Sequence, residues 1–253
     1  MLNIALNTFR EIVRNRFLYI IVFFAFFFIL FSLLLSNLTL GESEKIIIDF
    51  GLGMIEIFGV VGVLFVGSQL LFKEIEGRTI FLILSKPIKR YDFILGKFVG
   101  FSAILALLTL AQSILFLIIL SIKGLDITLL INMSLVFTWF KLEILLALVI
   151  FFSTFMGNMI SILATLMVYV LSHSYSLLID LAIRSKSEVF LLIAQISQLL
   201  FPPLEALNTK DSIGFFDGFG FTYFGLNSLY ALGYTGLILF LTICIFQRKK
   251  FEN

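Results

Sequence analysis

Few residues of this sequence could carry chemistry, and each of them stands apart from the others in apolar surroundings. Glu56 lies inside the run Phe50 to Phe72, flanked by Gly51, Gly53, Gly59 and Gly62. A carboxylate in such surroundings is costly unless it is paired, so it is a candidate for a substrate path or for a bond between helices. His173, the one histidine, sits between Ser172 and Ser174 with no Cys, carboxylate or second His at ligand spacing, so neither a zinc site nor a Ser-His constellation can be built around it. Cys244 is the single cysteine and lies in the last apolar run. It excludes an intramolecular disulfide and reads as a small packing residue. Met54, Met156, Met159 and Met167 form no spaced thioether motif and read as helix packing. Gly96-Lys97 lacks both the preceding glycine and the following hydroxyl of a GxxxxGKS/T phosphate loop. No catalytic residue, metal ligand or cofactor is expected.

The elements that must position Glu56 follow from composition. Of 253 residues, 60% are hydrophobic and only 13% charged, where a soluble domain carries about 25% charged residues. The 32 phenylalanines are spread over nearly every apolar run, which suits lipid-facing helices better than one dry core. Basic residues border these runs and form no patch with exposed aromatics, so a nucleic-acid partner is excluded and membrane lipid is the expected surrounding. A bilayer core of about 30 Å needs about 20 helical residues. Six runs qualify: Phe17 to Ser36, Phe50 to Phe72, Phe98 to Ile122, Phe137 to Met156, Met159 to Ile179 and Leu226 to Phe246. The expected fold is all-α: a polytopic membrane protein of six transmembrane helices in one domain over residues 1–253. Lys141 and Glu143 near the start of the fourth run place residues 128–141 at the interface, and Gly157-Asn158 makes a tight hairpin between the fourth and fifth runs.

Charge sets the expected orientation. With the N-terminus in the cytoplasm, twelve of the eighteen Lys and Arg residues lie inside, and eleven of the sixteen acidic residues lie outside. This bias predicts a cytoplasmic (inner) membrane protein with both termini cytoplasmic. Residues 1–16 carry Leu2, Ala5, Leu6, Phe9, Ile12 and Val13 at helical spacing, which predicts an interfacial helix on the inner surface. Residues 180–225 form an outer loop. Within it, Val189 to Phe201 is too short to cross and ends at Pro202-Pro203, so it reads as a re-entrant or interfacial helix. The aromatic run Gly214 to Gly225 reads as an aromatic interface segment that could also gate the outer exit.

The most distinctive stretch is the charged loop of residues 73–97, FKEIEGRTIFLILSKPIKRYDFILGK with its preceding Phe72. Ile75, Thr79, Leu82 and Ile83 share a helical face, and Pro87 forces a break after Lys86. A short amphipathic helix there could lie at the headgroups or dock into a soluble partner. Glu74, Glu76, Gly77, Thr79, Pro87, Arg90, Tyr91, Gly96 and Lys97 resemble the first cytoplasmic loop of ABC transporter permeases. The whole layout is similar to the type-2 ABC exporter permeases, and most of all to compact stand-alone permease subunits such as those linked to multicopper-enzyme maturation.

The resemblance implies a non-catalytic permease subunit that works with a separate ABC ATPase and a second permease copy, as homodimer or heterodimer. It implies that the loop is a coupling helix, with Glu74, Glu76, Gly77, Arg78, Thr79, Phe81, Leu82, Pro87 and Arg90 receiving the motion of the ATPase. The rivals are a secondary transporter, which would call for several midplane charges and an internal repeat, and a non-transporting membrane scaffold.

Overall fold

The structure, a computed structural model, describes residues 1–38, 43–77, 89–185, 188–202, 204–210, 213 and 220–249. Among these the chain is helical without a strand. Ten α-helices run in order: α1 (Leu2–Val13), α2 (Arg16–Leu38), α3 (Ser43–Gly62), α4 (Ser68–Glu76), α5 (Arg90–Ile122), α6 (Leu129–Ser153), α7 (Asn158–His173), α8 (Tyr175–Ser185), α9 (Glu188–Leu200) and α10 (Phe221–Arg248). A π turn at Val63–Gly67 joins α3 to α4, and a 3-10 turn at Leu204–Leu207 follows α9. The chain is a multi-pass membrane protein: among the described residues Glu44–Glu74, Arg90–Ile122, Leu129–Ser153 and Phe221–Arg248 are long and apolar enough to cross a bilayer, and α1 with α2 makes up to five as a bent pair.

Two expectations of length are revised. The fourth run extends N-terminally: α6 begins at Leu129, so Lys141 sits mid-helix. Thr128 starts this helix, its side chain accepting from the Ile131 amide at 3.4 Å, a cap available as soon as the chain emerges from the preceding turn. The fifth run stops early: α7 ends at His173, and its 16 residues reach about 24 Å, short of a 30 Å hydrocarbon core. Ser174 interrupts it before α8.

α6 is the axis of the bundle. Ile144, Leu145, Leu146, Ala147, Val149 and Ile150 are wholly inaccessible, as befits a helix apolar on every side and surrounded by neighbours. α3, the π turn and α4 run alongside it, with α5, α7 and α10 completing the shell. The α3 side of this contact depends on glycines: a Cβ at Gly59 would lie 2.5 Å from Leu142 Cδ1, and one at Gly67 would lie 2.9 Å from Val149 Cγ1. The backbones approach where these side chains are missing. α5 ends in a Schellman motif: Gly124 adopts φ +69°, the Leu125 amide bonds the Leu120 carbonyl at 3.0 Å, and the Gly124 amide bonds Ser121 at 3.2 Å.

One end of the bundle, here the basal end, gathers the N-terminus and the end of α10. Buried Lys97 of α5 lies 2.6 Å from Glu74 and 3.3 Å from Glu11, tying α5 to α4 and α1. Arg90 donates to the carbonyls of Phe246, Gln247 and Lys249 at 2.9–3.1 Å, satisfying groups left open at the end of α10. Lys249 in turn donates to the Thr154 carbonyl at 2.7 Å. α1 bends 65° away from α2 and packs on α5. Its inward face is Ala5, Thr8 and Ile12, while Leu2 and Leu6 of the expected apolar face stay exposed.

Candidate functional site

The distal half of the bundle holds a buried polar cluster centred on Glu56. α3 carries Glu56 toward α6, where Lys141 stands twelve residues into the helix. Lys141 Nζ lies 3.0 Å from Glu56 Oε1, and both side chains are almost fully buried, 2% and 3% exposed. α7 adds two groups one turn apart: Tyr169 donates its hydroxyl to Oε1 at 3.0 Å, and His173 Nε2 lies 3.2 Å from the same oxygen. The two rings pack with centroids 4.6 Å apart. The other carboxylate oxygen faces the distal segment, where Lys210 Nζ lies 3.4 Å from Oε2.

The chemistry of the arrangement is that of a hub. One carboxylate collects two ammonium groups, a phenol and an imidazole from two other helices and a loop, which offsets the cost of burying its charge. His173 Nε2 is also 3.4 Å from Lys141 Nζ. One ring nitrogen cannot donate to Glu56 and accept from Lys141 at once, so the imidazole has two mutually exclusive bonding states here. His173 and Lys210 are partly open, 21% and 27% exposed, so the cluster is sealed on the α6 side and reachable from the distal side.

The distal segment is held over this cluster. Leu204 and Leu207 of the 3-10 turn are fully buried beside α6 and α7. Thr209 Oγ1 meets Ser134 Oγ of α6 at 2.7 Å, and Tyr223 donates to the Ala206 carbonyl at 2.6 Å. Part of the segment between α9 and α10 therefore packs into the bundle, while α9 lies against α8. The aromatic run keeps only its last residues, from 220 on, within the described structure.

Glu56 is thus not the solitary carboxylate its sequence surroundings suggest. Lys141, expected at an interface, and His173, read as a lone histidine, are its partners. The signal that would have found them is their own isolation: lone polar residues inside separate apolar runs stabilise one another if they meet, and little else could. A second buried carboxylate, Glu143, is 4% exposed and leaves Oε1 without a hydrogen-bond partner among the described residues. Met159 and Met167 are exposed on α7. Among the described residues no three His, Cys, Asp or Glu side chains gather as metal ligands.

Of the loop residues, Glu76 and Gly77 are exposed at the basal end of α4, Glu74 is bound to Lys97, and Arg90 is bound to the end of α10. Arg78, Thr79, Phe81, Leu82 and Pro87 lie outside the described residues. No curated protein matches the sequence. Residues 2–251 match the family model described as ABC-2 family transporter protein, a match that runs from the first residue of α1 past the end of α10. This helical membrane chain, with its basal network and its buried distal hub, belongs to the ABC-2 transporter family of permease subunits.

Proposed function

We propose that this chain carries a substrate across the cytoplasmic membrane, driven by ATP hydrolysis in a separate ATPase subunit and working with a second permease copy. The observation that carries this reading is the family match over residues 2–251. In the proposed topology the basal end faces the cytoplasm and six segments cross, the fifth being α7 continued by α8. The charge distribution supports this: Arg10, Arg14, Arg16, Lys73, Arg90, Lys97, Arg248 and Lys249 all belong to the basal end.

Coupling would begin at the end of α4. Glu76 and Gly77 are open to a partner, and α4 continues through the π turn into α3, a rod of 31 residues from Glu44 to Glu74 that reaches about 45 Å and carries Glu56 in its distal half. A push at Gly77 would be transmitted along this rod to the hub. Glu74 and Arg90, already bonded to Lys97 and to the end of α10, would move those neighbours with it. Glu56 would then exchange partners as the distal segment lifts, opening the substrate path.

A tagged chain extracted in mild detergent should bring down an ATPase in near-equal amount. Glu76→Lys, Gly77→Trp and deletion of residues 75–84 should each release it while leaving the permease in the membrane. Full retention of the ATPase in all three would end the coupling assignment. The charged hub is the one observation that favours secondary transport instead. Substrate movement that persists without any ATPase would establish that reading.

A further inference from the structure

The elbow between α1 and α2 borders a half-open cleft of about 390 Å³ at the basal end, separate from the Glu56 cluster. Its far wall is one helical face of the π turn and α4, formed by residues 66, 69, 70 and 73 at the i, i+3, i+4, i+7 spacing. The floor is apolar and buried: Ile12 and Val66 are 2% exposed and Leu70 is 4%. The rim carries three cations, Arg14, Arg16 and Lys73. Among the described residues none of the three has a carboxylate at ion-pair distance. The one carboxylate on the wall, Glu11, lies 3.3 Å from Lys97.

We propose that this cleft binds the phosphate headgroup of an anionic phospholipid. Two guanidinium forks and an ammonium around one opening suit a phosphodiester, and the apolar floor suits the glycerol and first acyl carbons below it. The location agrees. α1 turns 65° from the crossing helix α2, so the elbow falls where a helix leaves the hydrocarbon and lies along the surface. Leu2, Leu6 and Val13 of α1 are 73%, 48% and 37% exposed, an apolar edge that a lipid surface would cover and water would not. An acidic loop of a protein partner would satisfy the cations but leave the apolar floor unfilled. The site requires only that the chain spans a bilayer, so it stands or falls apart from the coupling reading.

The test uses the full-length chain in nanodiscs of equimolar phosphatidylglycerol and phosphatidylcholine, with retained lipid counted by native mass spectrometry. The wild type should keep phosphatidylglycerol in preference. Arg14→Gln, Arg16→Gln and Lys73→Gln should each weaken that retention by roughly fivefold, whereas Arg248→Gln, a basal cation outside the cleft, should not. Should the variants fail to insert, the wild type still decides: its thermal stability should be higher in phosphatidylglycerol than in phosphatidylcholine, and millimolar inorganic phosphate should not reproduce the gain. Equal retention of the two lipids, an equal loss in Arg248→Gln, or full stabilisation by phosphate alone would overturn the proposal. So would release of the ATPase by the three variants with lipid retention unchanged.

Discussion

Lys141 and Glu56 are the residues whose pairing is most exposed to test. Each is almost fully buried, and the two charges lie 3.0 Å apart. Removing one member of a buried pair leaves a charge without compensation, a loss of about 3–5 kcal/mol. Glu56→Gln should therefore lower thermal stability in detergent more than Lys141→Met, because it removes the negative charge that Lys141 and Lys210 share, whereas Glu56 keeps Lys210 and Tyr169 when Lys141 is lost. The double variant Glu56→Gln, Lys141→Met should be more stable than Glu56→Gln alone. Additive losses would mean that the two side chains do not share their energy, and the hub would then be a coincidence of packing. Transport measured on the same variants separates roles: a stable Glu56→Gln chain with full transport would remove Glu56 from the substrate path. Of this cluster, Glu56 alone was legible as a functional candidate. Lys141 was hidden because it and Glu143 imitate an interfacial border, and Lys210 because it belongs to a polar loop whose partner is 154 residues away.

At the scale of elements, small residues decide which helices meet. Gly96 and Gly100 on α5 face α1, and a Cβ at Gly100 would come within 2.6 Å of the Ala5 carbonyl oxygen and 2.8 Å of Thr8 Cβ. Backbone cannot yield as a flexible side chain can, so Gly100→Ala should cost about 1–3 kcal/mol and expose α1 to protease. Gly53 is the control, since a Cβ there meets nothing within 4 Å. Gly53→Ala should be neutral, or stabilising by up to about 1 kcal/mol through helix propensity. Equal behaviour of the two substitutions would show that α1 does not seat on α5 as described. The GKFVG spacing of residues 96–100 is visible in the sequence, but which helix it admits is not. The π turn is likewise invisible: nothing in Val63–Gly67 distinguishes a π turn from continuous α-helix, although in the structure it packs against α6.

For the whole molecule the open quantity is its direction in the membrane. In a Cys244→Ser background, Asn3→Cys and Glu188→Cys place single thiols at exposed positions of opposite ends. With the basal end cytoplasmic, an impermeant maleimide added to intact cells should label Glu188→Cys and should reach Asn3→Cys only after permeabilisation. Labelling of Asn3→Cys in intact cells would invert the topology, and with it the position of the coupling end.

The sequence by itself determined that the chain is helical and lives in a bilayer, because sustained apolar runs bounded by charge have no other stable solvent. It located the cores of the long apolar helices, though their N-terminal ends lie up to about eight residues earlier than the apolar runs alone suggest, because the bilayer imposes a length that is local along the chain. It also marked α1 as a separate amphipathic piece. What only the tertiary structure decided is pairing: that Glu56 meets Lys141, Tyr169, His173 and Lys210, that Arg90 closes the end of α10, and that Lys97 joins three helices. The physical reason is that apolar periodicity specifies how a segment meets lipid and says nothing of which other segment it meets. In hydrocarbon that choice is made by close packing at small residues and by a few buried polar groups, and these act between positions far apart in the chain.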